Sequence, residues 1–235
     1  MEFTGERVVL ENVPRRVAND HIERYRFAGR AAVGADVVDV ASGSGYGAEV
    51  LLDCGVRSYR GFDVDASAVE SAVRTYSHAR ASFAVAEARS LPLEDHSVGV
   101  LTSFETIEHT YDGAAVLSEF RRVLARRGTL FLSTPNRRIV SPGKSVHEKP
   151  NNRFHRIEYT ASEVRALLLA SGFEVMSEWW QRTTWSGLSS RVAAGAAKRL
   201  RLPERVRFGW SSELTPPSIL PAVEPRYIVF IASPR

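Results

Sequence analysis

The fold is decided by the stretch Val37-Val38-Asp39-Val40-Ala41-Ser42-Gly43-Ser44-Gly45-Tyr46-Gly47-Ala48. A short apolar run, typical of a buried strand, leads into three glycines at alternate positions, and a helical segment follows. Glycine lets the backbone bend sharply and lets a ligand approach the main chain closely. The stretch therefore predicts a strand, a tight turn and a helix built around a bound cofactor.

Two cofactors are compatible with this turn. Gly43, Gly45 and Ala48 fit the dinucleotide pattern G-x-G-x-x-G/A, and Asp63 lies 20 residues beyond Gly43, where an acid that binds a ribose is expected. Asp39, however, lies just before the turn, and its carboxylate would repel a pyrophosphate. The same charge suits the positive ammonium or sulfonium of S-adenosylmethionine. Asp39 therefore favours the methyl donor over a nicotinamide dinucleotide.

Composition places the chain among ordinary globular proteins. Its 235 residues are 44% hydrophobic and 25% charged, which suits one large domain. The net charge of +4 is too small to require a nucleic-acid partner. Cys54 is the only cysteine, which excludes an intrachain disulfide and a zinc site built from several cysteines. No apolar run approaches the ~20 residues of a membrane span and the first residues do not resemble a signal peptide, so we expect a cytoplasmic protein without a membrane partner.

Strand-like and helical segments alternate through the chain, the pattern of a parallel sheet covered by helices. We predict strands at Val37–Val40, Ser58–Phe62, Ser82–Ala86, Val98–Ser103 and Thr129–Ser133. Helices are predicted at Glu11–Val33, Ala48–Cys54, Ala66–Ser77, Gly113–Arg126 and Thr160–Ser171, two of them beginning at Asp65 and Asp112. The segments Phe173–Gln181 and Arg226–Ala232 add two strands that pair as an interrupted hairpin. The prediction is an α/β fold with a seven-stranded mixed sheet flanked by helices.

Four later stretches match a known family in order along the chain. They are Gly61-Phe62-Asp63-Val64-Asp65, Ala86-Glu87-Ala88-Arg89-Ser90-Leu91-Pro92, Ser103-Phe104-Glu105-Thr106-Ile107-Glu108-His109 and Arg122–Leu130. Together with the glycine turn they resemble the motifs of class I S-adenosylmethionine-dependent methyltransferases, which have a Rossmann-like fold. The resemblance covers about residues 36–180.

This resemblance implies which residues bind S-adenosylmethionine. The implied set is Tyr25, Asp39, Ala41, Gly43, Gly45, Asp63, Val64, Glu87, Ala88 and Phe104. Within it, Asp63 holds the ribose hydroxyls and Glu87 accepts a hydrogen bond from the adenine amino group. Two residues depart from the family pattern, because Ala41 stands where the first glycine is common and Glu87 stands where aspartate is usual.

The same resemblance implies a division of the chain. Residues 1–34 form an N-terminal helical lid and residues 35–235 form the methyltransferase domain. Within the domain, residues 135–157 form a loop that covers the acceptor, and residues 182–225 form an insertion before the last strand. The arginines of the loop, from Arg137 to Arg156, are expected to pair with a phosphate of the acceptor. The insertion is expected to serve as a second lid, a homodimer contact or a membrane-surface helix, the last disfavoured because its apolar residues are mostly alanine.

The acceptor chemistry is predicted near the end of the fourth strand. Glu105, Glu108 and His109 stand at positions i, i+3 and i+4, so they share one face if this segment is helical. With His155 they resemble the two glutamates and two histidines that bind a divalent ion in metal-dependent small-RNA 2′-O-methyltransferases. This implies Mg²⁺, Mn²⁺ or a similar ion on Glu105, Glu108, His109 and His155. Many small-molecule methyltransferases carry a similar segment without a metal, so a catalytic group of Glu108, His109 and His155, with His109 as base, stays open.

Over its full length the chain resembles bacterial methyltransferases encoded with sugar, polysaccharide and antibiotic pathways. The stretches that carry this likeness are Phe3-Thr4-Gly5-Glu6-Arg7, Ser133-Thr134-Pro135-Asn136-Arg137 and Asn152–Tyr159. It implies O-methylation of a sugar, nucleotide sugar or antibiotic intermediate, which is a small-molecule acceptor. The alternatives are N-methylation of an amino sugar or aminocyclitol, RNA 2′-O-methylation, and a non-catalytic protein that only binds the methyl donor.

Overall fold

A computed structural model describes residues 13–185, 212–217 and 223–235. Its strands are β1 (Asp36–Val40), β2 (Ser58–Asp63), β3 (Ala81–Val85), β4 (Val98–Phe104), β5 (Leu124–Pro135), β6 (Phe173–Trp185) and β7 (Val223–Pro234). Its α-helices are α1 (Arg15–Ala31), α2 (Tyr46–Asp53), α3 (Ala66–Thr75), α4 (Gly113–Val123), α5 (Arg137–Val140) and α6 (Ala161–Ala170), and a single 3₁₀ turn covers Ile107–His109.

The seven strands form one mixed sheet in the order β3-β2-β1-β4-β5-β7-β6. The first five strands are parallel, and β7 runs antiparallel to both β5 and β6. The predicted seven-stranded mixed sheet is thus confirmed. The strand order reverses between β1 and β4, and the crevice outside such a reversal is where α/β sheets bind ligands.

Hydrophobic residues cover both faces of the sheet. Val38 and Val40 of β1 join a core with α4 and α6, whereas Val37 joins a second core with α1 and α2. This alternation follows from the period of two along a strand. It also places Asp39, which lies between Val38 and Val40, on the face that α1 and α2 cover.

Two glycines allow α1 to pack closely on α2. A methyl group built on Gly29 would lie 2.6 Å from Cβ of Cys54, and one built on Gly47 would lie 2.6 Å from the ring of Tyr25. No side chain larger than hydrogen fits at either position without a shift of its neighbours. The described part of the predicted lid therefore packs against the body of the domain.

Buried polar contacts also join α1 to the end of β6. The guanidinium of Arg24 is fully buried and donates to Oε1 of Gln181 at 2.7 Å. Gln181 in turn donates to the backbone oxygen of Asp20 at 3.0 Å, and Arg182 forms an ion pair with the Asp20 carboxylate. These contacts place α1 beside the ends of β4 and β6.

The helix starts follow the predicted caps. Asp65 accepts hydrogen bonds from two backbone amides at the start of α3, and Asp112 accepts one at the start of α4. Thr160 and Glu163 form a reciprocal capping box at the start of α6. Such caps satisfy amides that have no partner within the helix.

Some boundaries differ from the prediction. Helix α4 ends at Val123 and not at Arg126, because Leu124 is buried and already pairs with Val98 in the sheet. Strand β6 continues past Gln181 because residues 183–185 pair with residues 223–225. The greater part of the predicted insertion, residues 186–211 and 218–222, lies outside the described residues. Among those described, no helix has the length and hydropathy needed to cross a bilayer.

Candidate cofactor and acceptor site

A cavity of about 620 Å³ opens at the carboxyl ends of the parallel strands. Of the ten predicted cofactor residues, eight line it: Tyr25, Ala41, Gly43, Asp63, Val64, Glu87, Ala88 and Phe104. The four residues predicted for the acceptor chemistry line it too: Glu105, Glu108, His109 and His155. The cavity therefore joins the two groups of residues that the sequence singled out.

The glycine turn has room on its cavity side. Gly43 lines the cavity with φ of 56°, and a methyl group built on it would meet no atom within 4 Å. Gly45 has φ of 87° and does not line the cavity; a methyl group there would lie 2.6 Å from Cβ of Ala72. Ala41 adopts φ of 62°, where a non-glycine residue costs about 1–2 kcal/mol. The open backbone at Gly43 fits the close approach of a cofactor.

Asp39 lies beneath the cavity and does not line it. Its carboxylate is fully buried and accepts hydrogen bonds from the hydroxyls of Tyr25 at 2.8 Å, Tyr59 at 2.7 Å and Thr102 at 2.7 Å. Burial raises the pKa of Asp39 to about 6, against the opposing effect of these hydroxyls. Of these three residues, Tyr25 lines the cavity. Asp39 therefore affects the cavity indirectly, because its hydrogen bond fixes the position of the Tyr25 ring.

The two predicted nucleoside acids lie in different surroundings. Asp63 is buried and accepts from the amide of Gly43 at 2.8 Å and from the amide of Asp65 at 3.0 Å, so it joins the glycine turn to the end of β2. Glu87 is half exposed and forms an ion pair with Arg89, which also lines the cavity. The residue predicted to contact the adenine is therefore already paired with a cation in this structure.

Glu105 is separated from the other predicted metal ligands. The predicted helical face does not form, because Glu105 has φ of 54° and only residues 107–109 make a 3₁₀ turn. The Glu105 carboxylate instead accepts from the hydroxyl of Ser133 at 2.7 Å and lies 4.0 Å from the guanidinium of Arg24. Among the described residues, the group that can hold a metal ion consists of Glu108, His109 and His155, whose ligand atoms lie within 4.8 Å of one another.

Glu108, His109 and His155 line the part of the cavity where the acceptor is predicted to bind, which is called the acceptor end below. Glu108 is fully buried, and its Oε2 accepts from the hydroxyl of Thr134 at 2.9 Å, whereas its Oε1 has no hydrogen-bond partner among the described residues. Burial, followed by the nearby Glu105 carboxylate, raises the pKa of Glu108 well above its usual range. The rings of His109 and His155 meet edge to face at 5.1 Å.

Four arginines of the basic loop contact other residues of the chain. Arg137 donates to the backbone oxygen of Glu158 at 2.6 Å and to Glu163 at 2.6 Å, and Arg138 forms an ion pair with Glu224. The guanidinium groups of Arg153 and Arg156 lie over neighbouring aromatic rings. The loop residues that line the cavity are Asn152 and His155. Arg137 and Arg138 thus stabilise the loop itself, whereas contact of Arg153 or Arg156 with an acceptor phosphate stays a prediction.

Several residues of the cavity wall were not predicted, among them His21, Tyr46 and Tyr227. His21 of α1 lies 2.9 Å from the hydroxyl of Tyr46, and Tyr227 of β7 lies under the guanidinium of Arg24. Burial and then the charge of Arg24 lower the pKa of His21 well below its usual value. The spacing of His21 and Tyr25, one helical turn apart, is the sequence signal that puts both on one face of α1.

Comparison with known proteins agrees with this geometry. Residues 38–132 match the family model described as a methyltransferase domain. A relative from Mycolicibacterium smegmatis, named "probable S-adenosylmethionine-dependent methyltransferase", is 37% identical over 74% of this chain. The matched region spans 66% of that relative's length, just under two thirds.

Solved structures share the fold at low sequence identity. An S-adenosylmethionine-dependent methyltransferase from Mesorhizobium loti superposes with a TM-score of 0.59 at 16% identity, covering 88% of this chain and 95% of that one. The [4+2]-cyclase SpnF superposes with a TM-score of 0.62 at 17% identity, covering 92% and 81%. The fold and the glycine turn define a class I methyltransferase architecture. Together with the family match over residues 38–132, they make the chain similar to S-adenosylmethionine-dependent methyltransferases in both fold and sequence.

The buried carboxyl of Asp39 predicts a specific dependence of stability on pH. Its folded-state pKa of about 6 exceeds the ordinary value of 3.8, so the folded state binds the extra proton between these values. The stability that Asp39 contributes is therefore fully present below about pH 4 and is lost as the pH rises through about 6. Two pKa units correspond to about 3 kcal/mol. In urea titrations, we expect the unfolding free energy of the wild type relative to Asp39→Asn to fall by up to this amount across that range.

Asp36→Asn is the matched control on the same strand. The ion pair with Arg57 lowers the pKa of Asp36 to about 2, so the stability that it contributes is lost only as the pH falls below about 4. Its difference from the wild type should stay flat between about pH 4 and 6. Equal slopes for both variants in that range would contradict the assignment to Asp39.

Proposed function

We propose that the protein is an S-adenosylmethionine-dependent methyltransferase that methylates a hydroxyl group of a small polar acceptor in a bacterial biosynthetic pathway. Sugars, nucleotide sugars and antibiotic intermediates are the acceptor classes that its sequence resemblance suggests. The observation that carries the proposal is that a single cavity is lined both by Gly43 of the glycine turn and by His109 and His155. The single cysteine fits a cytoplasmic site for the reaction.

The residues around the glycine turn would hold the cofactor. Gly43 leaves space for close approach to the backbone, and Asp63 and the exposed Val64 flank the adjoining part of the cavity. The buried negative charge of Asp39 lies under this end and suits a positively charged ligand. When bound, S-adenosylmethionine supplies a methyl group on a positively charged sulfur.

The two histidines supply the proton chemistry in this proposal. A hydroxyl acceptor has to lose its proton as it takes the methyl group, and an imidazole is suited to receive it near neutral pH. Nδ1 of His109 faces the backbone oxygen of Phe154 at 3.3 Å. A carbonyl oxygen only accepts, so this contact puts the proton on Nδ1 and the lone pair on Nε2.

An amine acceptor is a second candidate. The acidic side chains of Glu105 and Glu108 line the cavity, whereas Arg137 and Arg138 of the loop are paired with other residues. A carboxylate-lined end favours an acceptor that carries a positive charge over one that carries a phosphate. N-methylation of an amino sugar or aminocyclitol is therefore preferred over methylation of a nucleotide sugar if the acceptor is charged.

A metal-assisted reaction is the other candidate at the same end. Glu108, His109 and His155 offer one carboxylate and two imidazoles, and Oε1 of Glu108 is buried without a partner among the described residues. This donor set suits Mn²⁺, Fe²⁺ or Zn²⁺ better than Mg²⁺, which prefers oxygen ligands. The proposed ligands are three, without Glu105.

Binding of S-adenosylhomocysteine, measured by isothermal titration calorimetry, is the first test. We expect the wild type to bind it and Gly43→Ala to bind it about tenfold more weakly or worse, because the added methyl group projects into the cavity. Gly34→Ala is the matched control, since Gly34 also has a positive φ and open surroundings but does not line the cavity. Both variants should lose about 1 kcal/mol of stability. Failure of the wild type to bind S-adenosylhomocysteine would contradict the proposal.

His109→Ala separates catalysis from cofactor binding. We expect this variant to bind S-adenosylhomocysteine like the wild type and to lose about 10²-fold or more in kcat with any acceptor found in a screen of nucleotide sugars and aminoglycosides. Release of S-adenosylhomocysteine measures turnover. His78→Ala, an exposed histidine outside the cavity, is the control and should keep full activity. Unchanged turnover of His109→Ala would remove this residue from the reaction.

Elemental analysis and chelation decide between the metal-assisted and the metal-independent routes. If a cation takes part, the purified protein should contain it, Glu108→Gln should lower its content, and activity should fall on chelation and return with Mn²⁺. Glu105→Gln is the control that should leave the metal content unchanged, because Glu105 points toward Ser133. Full activity after complete chelation would exclude the metal-assisted route and leave proton transfer to an imidazole as the remaining one.

A further inference from the structure

The segment 152–158 lies against the 3₁₀ turn and brings His155 into the cavity wall. The amides of Arg156 and Ile157 both donate to the backbone oxygen of Glu108, at 2.7 and 3.2 Å. This contact sets the ring of His155 beside that of His109. The position of His155 is thus fixed by main-chain contacts that do not involve its own side chain.

Both ring nitrogens of His155 have defined partners. Nδ1 lies 2.6 Å from Oε1 of Glu158, and Nε2 lies 2.8 Å from Nδ2 of Asn152. The amide of Asn152 is oriented by its Oδ1, which accepts from the backbone amide of Phe154 at 3.1 Å. Nδ2 of Asn152 can only donate, so Nε2 of His155 must accept. Of the two neutral tautomers, these contacts fit the one with its proton on Nδ1 and its lone pair on Nε2.

The carboxylate of Glu158 is buried, and its Oε1 contacts the imidazole of His155. It is 2% exposed, and its Oε2 has no hydrogen-bond partner among the described residues. A buried carboxylate with an unsatisfied oxygen is unfavourable for stability. The loop does not need it, because Arg137 holds this segment through the backbone oxygen of Glu158 and through Glu163. The side chain of Glu158 is thus explained by its contact with His155.

We propose that Glu158 is a positioning residue of the acceptor site, which holds His155 in the Nδ1–H tautomer so that Nε2 accepts the proton of the acceptor. The amide of Asn152 occupies the place that the acceptor's hydroxyl or amine takes. On reaction, the acceptor's proton moves to Nε2, the Nδ1 proton stays between His155 and Glu158, and the carboxylate stabilises the resulting imidazolium. The catalytic role of His155 in this inference rests on the proposed methyltransferase function; the tautomer does not.

The tautomer is tested directly by long-range ¹H–¹⁵N NMR correlation of the His155 ring in the full chain, assigned with His155→Gln. We expect the Nδ1–H pattern in the wild type without any ligand. Glu158→Leu, which cannot accept from Nδ1, should shift the ring toward the Nε2–H form, and Glu158→Asp should retain the wild-type pattern at least in part. A wild-type ring protonated on Nε2, or an unchanged pattern in Glu158→Leu, would overturn the inference, whether or not an acceptor is known.

Steady-state kinetics of a Glu158 variant provide the second test of the proposal. Glu158→Gln should lower kcat about 10²-fold or more while the affinity for S-adenosylhomocysteine and the KM of the acceptor change less than about twofold. Glu163→Gln is the matched control, because Glu163 is an acid of the same region whose hydrogen bonds go to Arg137 and Thr160 and not to His155. Equal kcat values for the two variants would leave Glu158 with a structural role only. Loss of cofactor binding in the wild type would instead count against the proposed function and leave the tautomer result standing.

Discussion

Three hydroxyl groups, from α1, β2 and β4, converge on the buried carboxylate of Asp39 in β1. A carboxylate without water is unfavourable, and burial accordingly raises its pKa to about 6. The hydroxyls offset part of that cost, and in doing so they fix the positions of the elements that carry them. Tyr25 is the one whose ring reaches the cavity, so the wall that α1 contributes depends on this contact. Gly47 belongs to the same arrangement, because any side chain there would displace the Tyr25 ring.

The acceptor end is built from irregular backbone where β4 stops. Glu105 adopts a left-handed conformation and turns toward Ser133 of β5, after which a 3₁₀ turn presents Glu108 and His109. Backbone of this kind is costly and is concentrated where function requires a special geometry. The segment that carries His155 then packs onto the oxygen of Glu108. The two histidines therefore meet through main-chain contacts between parts of the chain about 45 residues apart.

The fold could be predicted from local patterns, whereas the site could be predicted only in part. Alternating apolar runs, the glycine turn and the capping residue Asp65 gave seven strands and the helix starts, because each depends on neighbours in sequence. The separation of Glu105 from Glu108 could not be predicted, since it depends on a backbone conformation with no signal in the i, i+3, i+4 spacing. The engagement of Arg137 by the main chain depends on a partner 21 residues away. Long-range polar contacts of this kind leave no periodic trace in the sequence.

The fold alone does not set the reaction, since the architecture is shared with a structure described as a [4+2]-cyclase. The acceptor end carries the more specific argument. Glu108 and Glu158 are both buried, and each has a carboxylate oxygen without a hydrogen-bond partner in the described part of the chain. A buried carboxylate of this kind is costly for stability, and each of the two lies beside a histidine of the cavity wall. The burial of these two carboxylates is understandable if the neighbouring histidines acquire a positive charge, from a proton or from a cation, because an opposite charge offsets the cost of desolvation.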